Sequence, residues 1–159
     1  MVVETGILLR MTSPAFLPPA SATVHALRAA AAHAERMLAR ALEPYGITAG
    51  QFELLQVIGH HEGKGSGCSE LGRQLAVPGP DVTRMMDRLD SAGLVARSRD
   101  ENDRRVVHTV LTDKGRELLK LATPAVTETE LGLFEGLAED ERTRLTGLLL
   151  GIRRNCPNA

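Results

Sequence analysis

The sequence predicts a mainly α-helical chain carrying one small antiparallel β-hairpin. Three observations support this. Apolar residues recur at helical spacing along most of the 159 residues, and a single stretch near residues 94–111 reads as two strands around a polar turn. Aromatic residues make up only 3%, with no Trp, one Tyr and three Phe. A core with so few rings must be built from Leu, Val, Ile, Ala and Met, which favours packed helices. Hydrophobic residues at 43% and charged residues at 25% are ordinary globular values and argue against wholesale disorder. The net charge of −1 neither announces nor excludes an anionic partner, because affinity depends on which face holds the arginines.

The first twenty residues, with Pro14, Pro18 and Pro19, read as an irregular arm. A first helix follows from Ser21, with Val24, Leu27, Ala31, Ala34, Leu38 and Ala41 along one stripe and His33, Arg36, Arg40 and Glu43 along the other. Pro44, Tyr45 and Gly46 end it. Thr48 with Gln51 is a capping-box start for a second helix that carries Phe52, Leu55 and Ile58. The glycine-rich loop from His60 to Gly67 terminates it. A short third helix is expected from about Cys68 to Leu75, then a tight turn at Val77-Pro78-Gly79-Pro80. Pro80 suits the first residue of a fourth helix. That helix should bury Val82, Met86 and Leu89, with Met85 beside them, expose Asp81, Thr83, Arg84, Asp87 and Arg88, and stop at Gly93. Leu94–Arg99 and Val106–Leu111 are the expected strands around the polar residues 100–103. Thr112 caps a fifth helix in which Pro124 should introduce a kink, and a last helix runs from Glu139 to Arg154.

Two short helices joined by a tight turn, followed by a hairpin, form a winged helix-turn-helix. A helix with Arg84 and Arg88 on its wet face beside an arginine-tipped hairpin suits double-stranded DNA. The helix fills a major groove, and the hairpin reaches the adjacent backbone or minor groove. The apolar stripes near both chain ends exceed what a small central lobe covers, so a homodimer is expected. The chain therefore divides into an N-terminal arm (1–20), a dimerisation helix (21–46), a DNA-binding lobe (47–112) and C-terminal dimerisation helices (113–159).

Four segments in register, ITAGQFELL (47–55), SELGRQL (69–75), VTRMMDRLDSAGLV (82–95) and DRRVVHTVLTDKG (103–115), resemble the MarR family of bacterial transcriptional regulators. The resemblance implies a dimer whose terminal helices interlock and hold two winged lobes against a palindromic operator. It implies repression, relieved when a small aromatic or phenolic effector binds between lobe and dimer region. Carried over by residue, it places Thr83 and Arg84 on the groove-facing helix with Arg88 one turn on. Asp103 and Arg105 fall at the wing pair in which a carboxylate orients an arginine for the minor groove. Arg97, Arg99 and Arg104 are then phosphate partners, unless one of them serves the wing fold. Asp81 and Ala138 depart from the family pattern, where a Ser or Thr and a capping Ser are usual.

Other chemistries find less support. Cys68 and Cys156 show no CxxC spacing, and no secretory leader is evident, which points to a reducing cytoplasm without a disulfide framework. No apolar run approaches the ~20 residues a membrane span needs. His60, His61, Glu62, Cys68 and His108 are metal-ligand types at spacings matching no closed site, so no metal or cofactor is expected. Cys68 reads as a small buried hydrophobe, with a thiol switch as the alternative. No nucleophile–base pair, paired carboxylate motif or phosphate-cradling loop is present, which speaks against an enzyme. Two readings stand for His33, Arg36 and Tyr45: an effector pocket, or a solvated helix face with Tyr45 packed. The rivals to a DNA-reading regulator are a dimeric ligand- or protein-binding module on the same scaffold, and a thiol- or metal-sensing regulator.

Overall fold

A computed structural model describes residues 19–61, 75, 82–99 and 107–154 of the chain. Helix α1 (Pro19–Leu42) begins at Pro19 rather than Ser21, because a proline's missing N–H costs nothing in a first turn. A 3-10 turn (Glu43–Tyr45) and Gly46, at φ 67°, end it, and the Gly46 N–H donates to the Glu43 carbonyl. Helix α2 (Ala49–His60) starts with the expected capping box. The Gln51 N–H donates to Thr48 Oγ1 at 3.3 Å, and the Thr48 N–H donates to Gln51 Oε1 at 2.9 Å.

The expected third helix and the turn at residues 77–80 lie outside the described residues, apart from Leu75, which is buried. Helix α3 (Val82–Ser91) buries Val82, Met86 and Leu89, with Met85 half-buried beside them. Its end closes as a Schellman motif. The Gly93 N–H donates to the Asp90 carbonyl and the Leu94 N–H to the Leu89 carbonyl, with Gly93 at φ 69°. Leu94 is spent on this closure, so strand β1 (Val95–Arg99) starts one residue later than the sequence suggests. Strand β2 (Val107–Leu111) pairs with it antiparallel, from Val95 opposite Leu111 to Arg99 opposite Val107.

Helix α4 (Asp113–Leu133) starts at Thr112, whose hydroxyl accepts the Gly115 N–H, and continues through Pro124. The Thr123 and Thr129 hydroxyls donate to carbonyls one turn back on either side of the proline, a pattern that bends helices slightly. Helix α5 (Glu139–Arg154) lacks a capping serine at Ala138, yet the Ala138 N–H donates to Glu141 Oε2 at 2.8 Å. Half of the capping box therefore survives the substitution.

One apolar core joins α2, α3, the base of the hairpin and the middle of α4. Leu42, Leu54, Leu55, Ile58, Met86 and Leu89 have no exposed surface. The two chain ends differ. Val24 on α1, Leu121 and Leu131 on α4, Phe134 and Leu137 after it, and Leu148, Leu150 and Ile152 on α5 all lie at 40% exposure or more. No described helix is long and apolar enough to cross a membrane.

Candidate DNA-reading surface

Helix α3 is strongly two-sided. Val82, Met86 and Leu89 are spaced one helical turn apart and anchor the rod in the core. The same 3.6-residue period turns Thr83, Arg84, Asp87 and Arg88 outward, and all four are exposed. The face therefore carries two guanidinium groups and a hydroxyl on an element of the right width for a major groove.

The hairpin stands directly beside this helix. Paired residues of an antiparallel ladder share a face, so the buried pair Val95 and Leu111 sets which face turns inward. Arg97 and Arg99 follow on that face toward the tip. Arg97 does not reach outward: its Nη1 lies 2.9 Å from Asp87 Oδ1 and its Nε 3.9 Å from Asp90 Oδ2, with 28% of its side chain exposed. This geometry matches the alternative the sequence left open, that one arginine of the group serves the wing fold. Asp87 is itself 59% exposed, so the pair contributes roughly 0–1 kcal/mol to stability. Its larger effect is electrostatic. Asp87 sits between Arg84 and Arg88 with Asp90 one turn on, and the guanidinium of Arg97 partly offsets both carboxylates, which would otherwise oppose a phosphate there. Arg99 ends β1 and is exposed. The wing residues Asp103, Arg104 and Arg105 lie outside the described residues, as do Cys68 and Asp81.

The residues considered for an effector do not converge. His33 and Arg36 are exposed on α1, whereas Tyr45 is half-buried and its hydroxyl donates to the Leu121 carbonyl at 2.9 Å. Pro124 removes one N–H from that turn of α4, and the tyrosine supplies a donor to a neighbouring carbonyl. Tyr45 also borders a cleft of about 350 Å³ with Gln51, Arg88, Leu89, Lys114 and Leu118. Neither His33 nor Arg36 lines it.

Sequence reasoning missed how tightly the start of α4 is joined to the end of α3. The signal was present in Gly115. A glycine inside the first turn of a helix costs about 1 kcal/mol relative to alanine, so its presence asks for a reason. The structure supplies one, since a Cβ there would clash with the Leu94 carbonyl oxygen.

An outward cationic helix, a tight Schellman stop and an adjoining two-stranded wing define a winged helix-turn-helix protein. Residues 47–107 match the model of the MarR family. The HTH-type transcriptional regulator YhbI of Bacillus subtilis, itself uncharacterized, is 30% identical over 125 residues, or 77% of this chain and 80% of that protein. Among solved structures, a mutant MarR from E. coli complexed with operator DNA superposes with a TM-score of 0.70 at 31% identity, covering 79% of this chain and 89% of that one. BpsR of Bordetella bronchiseptica, described for regulation of its DNA binding by 6-hydroxynicotinic acid, gives a TM-score of 0.71 at 27% identity over 82% of this chain and 97% of that one. The chain belongs to the MarR family of transcriptional regulators.

Proposed function

We propose that this regulator is a repressor that binds a palindromic operator as a homodimer in the cytoplasm. The observation that carries the reading is the division of α3, with Val82, Met86 and Leu89 buried while Thr83, Arg84 and Arg88 are all exposed. In the dimer the two α3 helices enter successive major grooves, about 34 Å apart. Thr83 and Arg84 meet base edges, Arg88 and Arg99 meet phosphates, and the wing tip, with Asp103, Arg104 and Arg105, holds the flanking minor groove. Arg97 stays on Asp87 and braces the wing.

A mobility shift with the DNA upstream of the protein's own gene, repeated at several salt concentrations, tests this. Arg84→Ala should remove about 1–3 kcal/mol of discrimination at one base position. Arg105→Ala should also weaken the complex. Unchanged binding in both variants would refute the assigned contacts.

The effector reading rests on the cleft beside Tyr45, where Arg88 and Lys114 supply positive charge next to Leu89 and Leu118. A small aromatic acid, of the kind that regulates BpsR, suits such a lining. Because Arg88 belongs to both the cleft and the reading helix, a ligand there has the differential contact a switch requires. Titration of 6-hydroxynicotinic acid and simple phenolic acids into the protein–DNA complex checks it, and retention of DNA throughout would count against this cleft.

A further inference from the structure

The carbonyls at and just beyond a helix's end have no partner within the helix and must be met by water or by other parts of the chain. Just past the end of α3, from Ala92 to Leu94, the protein supplies the donors itself. Lys114 Nζ donates to the Ala92 carbonyl at 2.8 Å, Thr112 Oγ1 to the Gly93 carbonyl at 2.7 Å, and the Thr112 N–H to the Leu94 carbonyl at 3.1 Å. Three successive carbonyls are thus held by the first turn of α4. Gly115 completes the joint. Its N–H donates back to Thr112 Oγ1 at 3.1 Å, and its lack of a Cβ lets the Leu94 carbonyl approach closely.

These contacts differ in kind from those along the rest of α3. Along the body of the helix the anchor is the burial of Val82, Met86 and Leu89, which is non-directional, and the ion pairs of exposed Asp87 and Asp90 with Arg97, which are weak. Such an anchor keeps the helix in place but specifies its roll and tilt weakly. Hydrogen bonds fall off steeply with angle, so three at one end fix the direction in which Thr83, Arg84 and Arg88 point. Water at the same carbonyls would satisfy them without fixing anything.

We propose that Thr112, Lys114 and Gly115 are positioning residues for DNA reading, a clasp that sets the angle of α3 on α4 and thereby governs sequence discrimination. The clasp touches no DNA in this scheme. It rests on the DNA-reading function above, and its contribution is separable from that function because phosphate attraction does not depend on fine helix orientation.

Lys114 offers the cleanest test, since its side chain is exposed and its replacement leaves the core intact. The probes are a duplex that the wild-type protein enriches from a randomised pool and an unrelated duplex of equal length. Lys114→Met should weaken binding to the enriched duplex about tenfold, part of the value of one well-aligned base contact. Binding to the unrelated duplex, and the dependence on salt, should stay at wild-type values. Lys114→Arg, which keeps a cationic donor, should recover most of the loss. Equal weakening on both duplexes with a salt slope lower by about one would instead make Lys114 a phosphate contact and overturn the proposal. A lowered melting temperature with unchanged discrimination, or no change at all, would overturn it as well. If the wild-type protein enriches no duplex, the DNA-reading function itself fails, and the clasp with it.

Discussion

The central lobe and the terminal helices of this chain treat apolar surface in opposite ways. Among the described residues, twelve of the fifteen buried core hydrophobics lie between Ile47 and Leu111. The exposed large hydrophobics, Val110 apart, all lie on α1, on α4 or beyond it. The lobe closes its core within one chain, with help from Leu42, Ala122 and Val126, whereas the ends carry side chains that one copy of the chain leaves in water. A helix bearing Leu148, Leu149, Leu150 and Ile152 within five positions, none of them buried, is shaped for a surface outside its own subunit. In the proposed homodimer a second copy meets that need with the same patch on both sides, as two-fold association requires. Under the proposed function the difference separates two tasks: the lobe holds the reading helix, and the ends set how far apart two reading helices stand.

The strongest challenge to this comparison is a double substitution on α5. Leu148→Asp with Ile152→Asp removes two side chains from each copy, at about 1.5–3 kcal/mol per side chain if the pair buries them. If two copies associate through this face, analytical ultracentrifugation should find the wild type dimeric and the variant monomeric, with operator binding lost and the helical content of the lobe retained. A variant that stays dimeric would show that α5 serves something else.

Leu89→Ala should have the complementary effect. It opens a cavity in the lobe beneath α3, and unfolding in denaturant should detect a loss of about 2–5 kcal/mol. The lobe is affected even when the two subunits remain together.

The smallest expected effect concerns the brace between wing and helix. A double-mutant cycle on Asp87→Ala and Arg97→Ala should give a coupling of about 0.2–1 kcal/mol in stability. Binding measurements on the same variants separate two roles. If Arg97 only neutralises Asp87, Arg97→Ala should weaken DNA binding more than the double variant does. If Arg97 instead reaches a phosphate, both should weaken it alike and lower the salt slope by about one.

Much of this architecture was legible in the order of residues because its rules are short-ranged. The capping box at Thr48 and Gln51 spans three positions, and the stop at Gly93 needs only a residue that tolerates a left-handed backbone. The inward stripe Val82, Met86 and Leu89 follows from the helical period alone. The outward placement of Thr83, Arg84 and Arg88 is the same rule read from the other side, and the four family-like segments add their register to it. The start of β1 was misplaced by one residue for a local reason, since Leu94 suits a strand and a Schellman closure equally well.

The sequence by itself therefore determined the described helices, their caps, the hairpin and the arginine-bearing face of α3, because each depends on neighbours within one or two turns. Only the tertiary structure decided which of those charges turn back onto the protein. Arg97 meets Asp87, Lys114 meets a carbonyl at Ala92, and Tyr45 meets Leu121 across 76 positions of chain. Such pairings depend on where two separately stable elements come to rest against each other. Packing of the shared core brings the elements together, the directional pairings then refine their angle, and no local pattern encodes either.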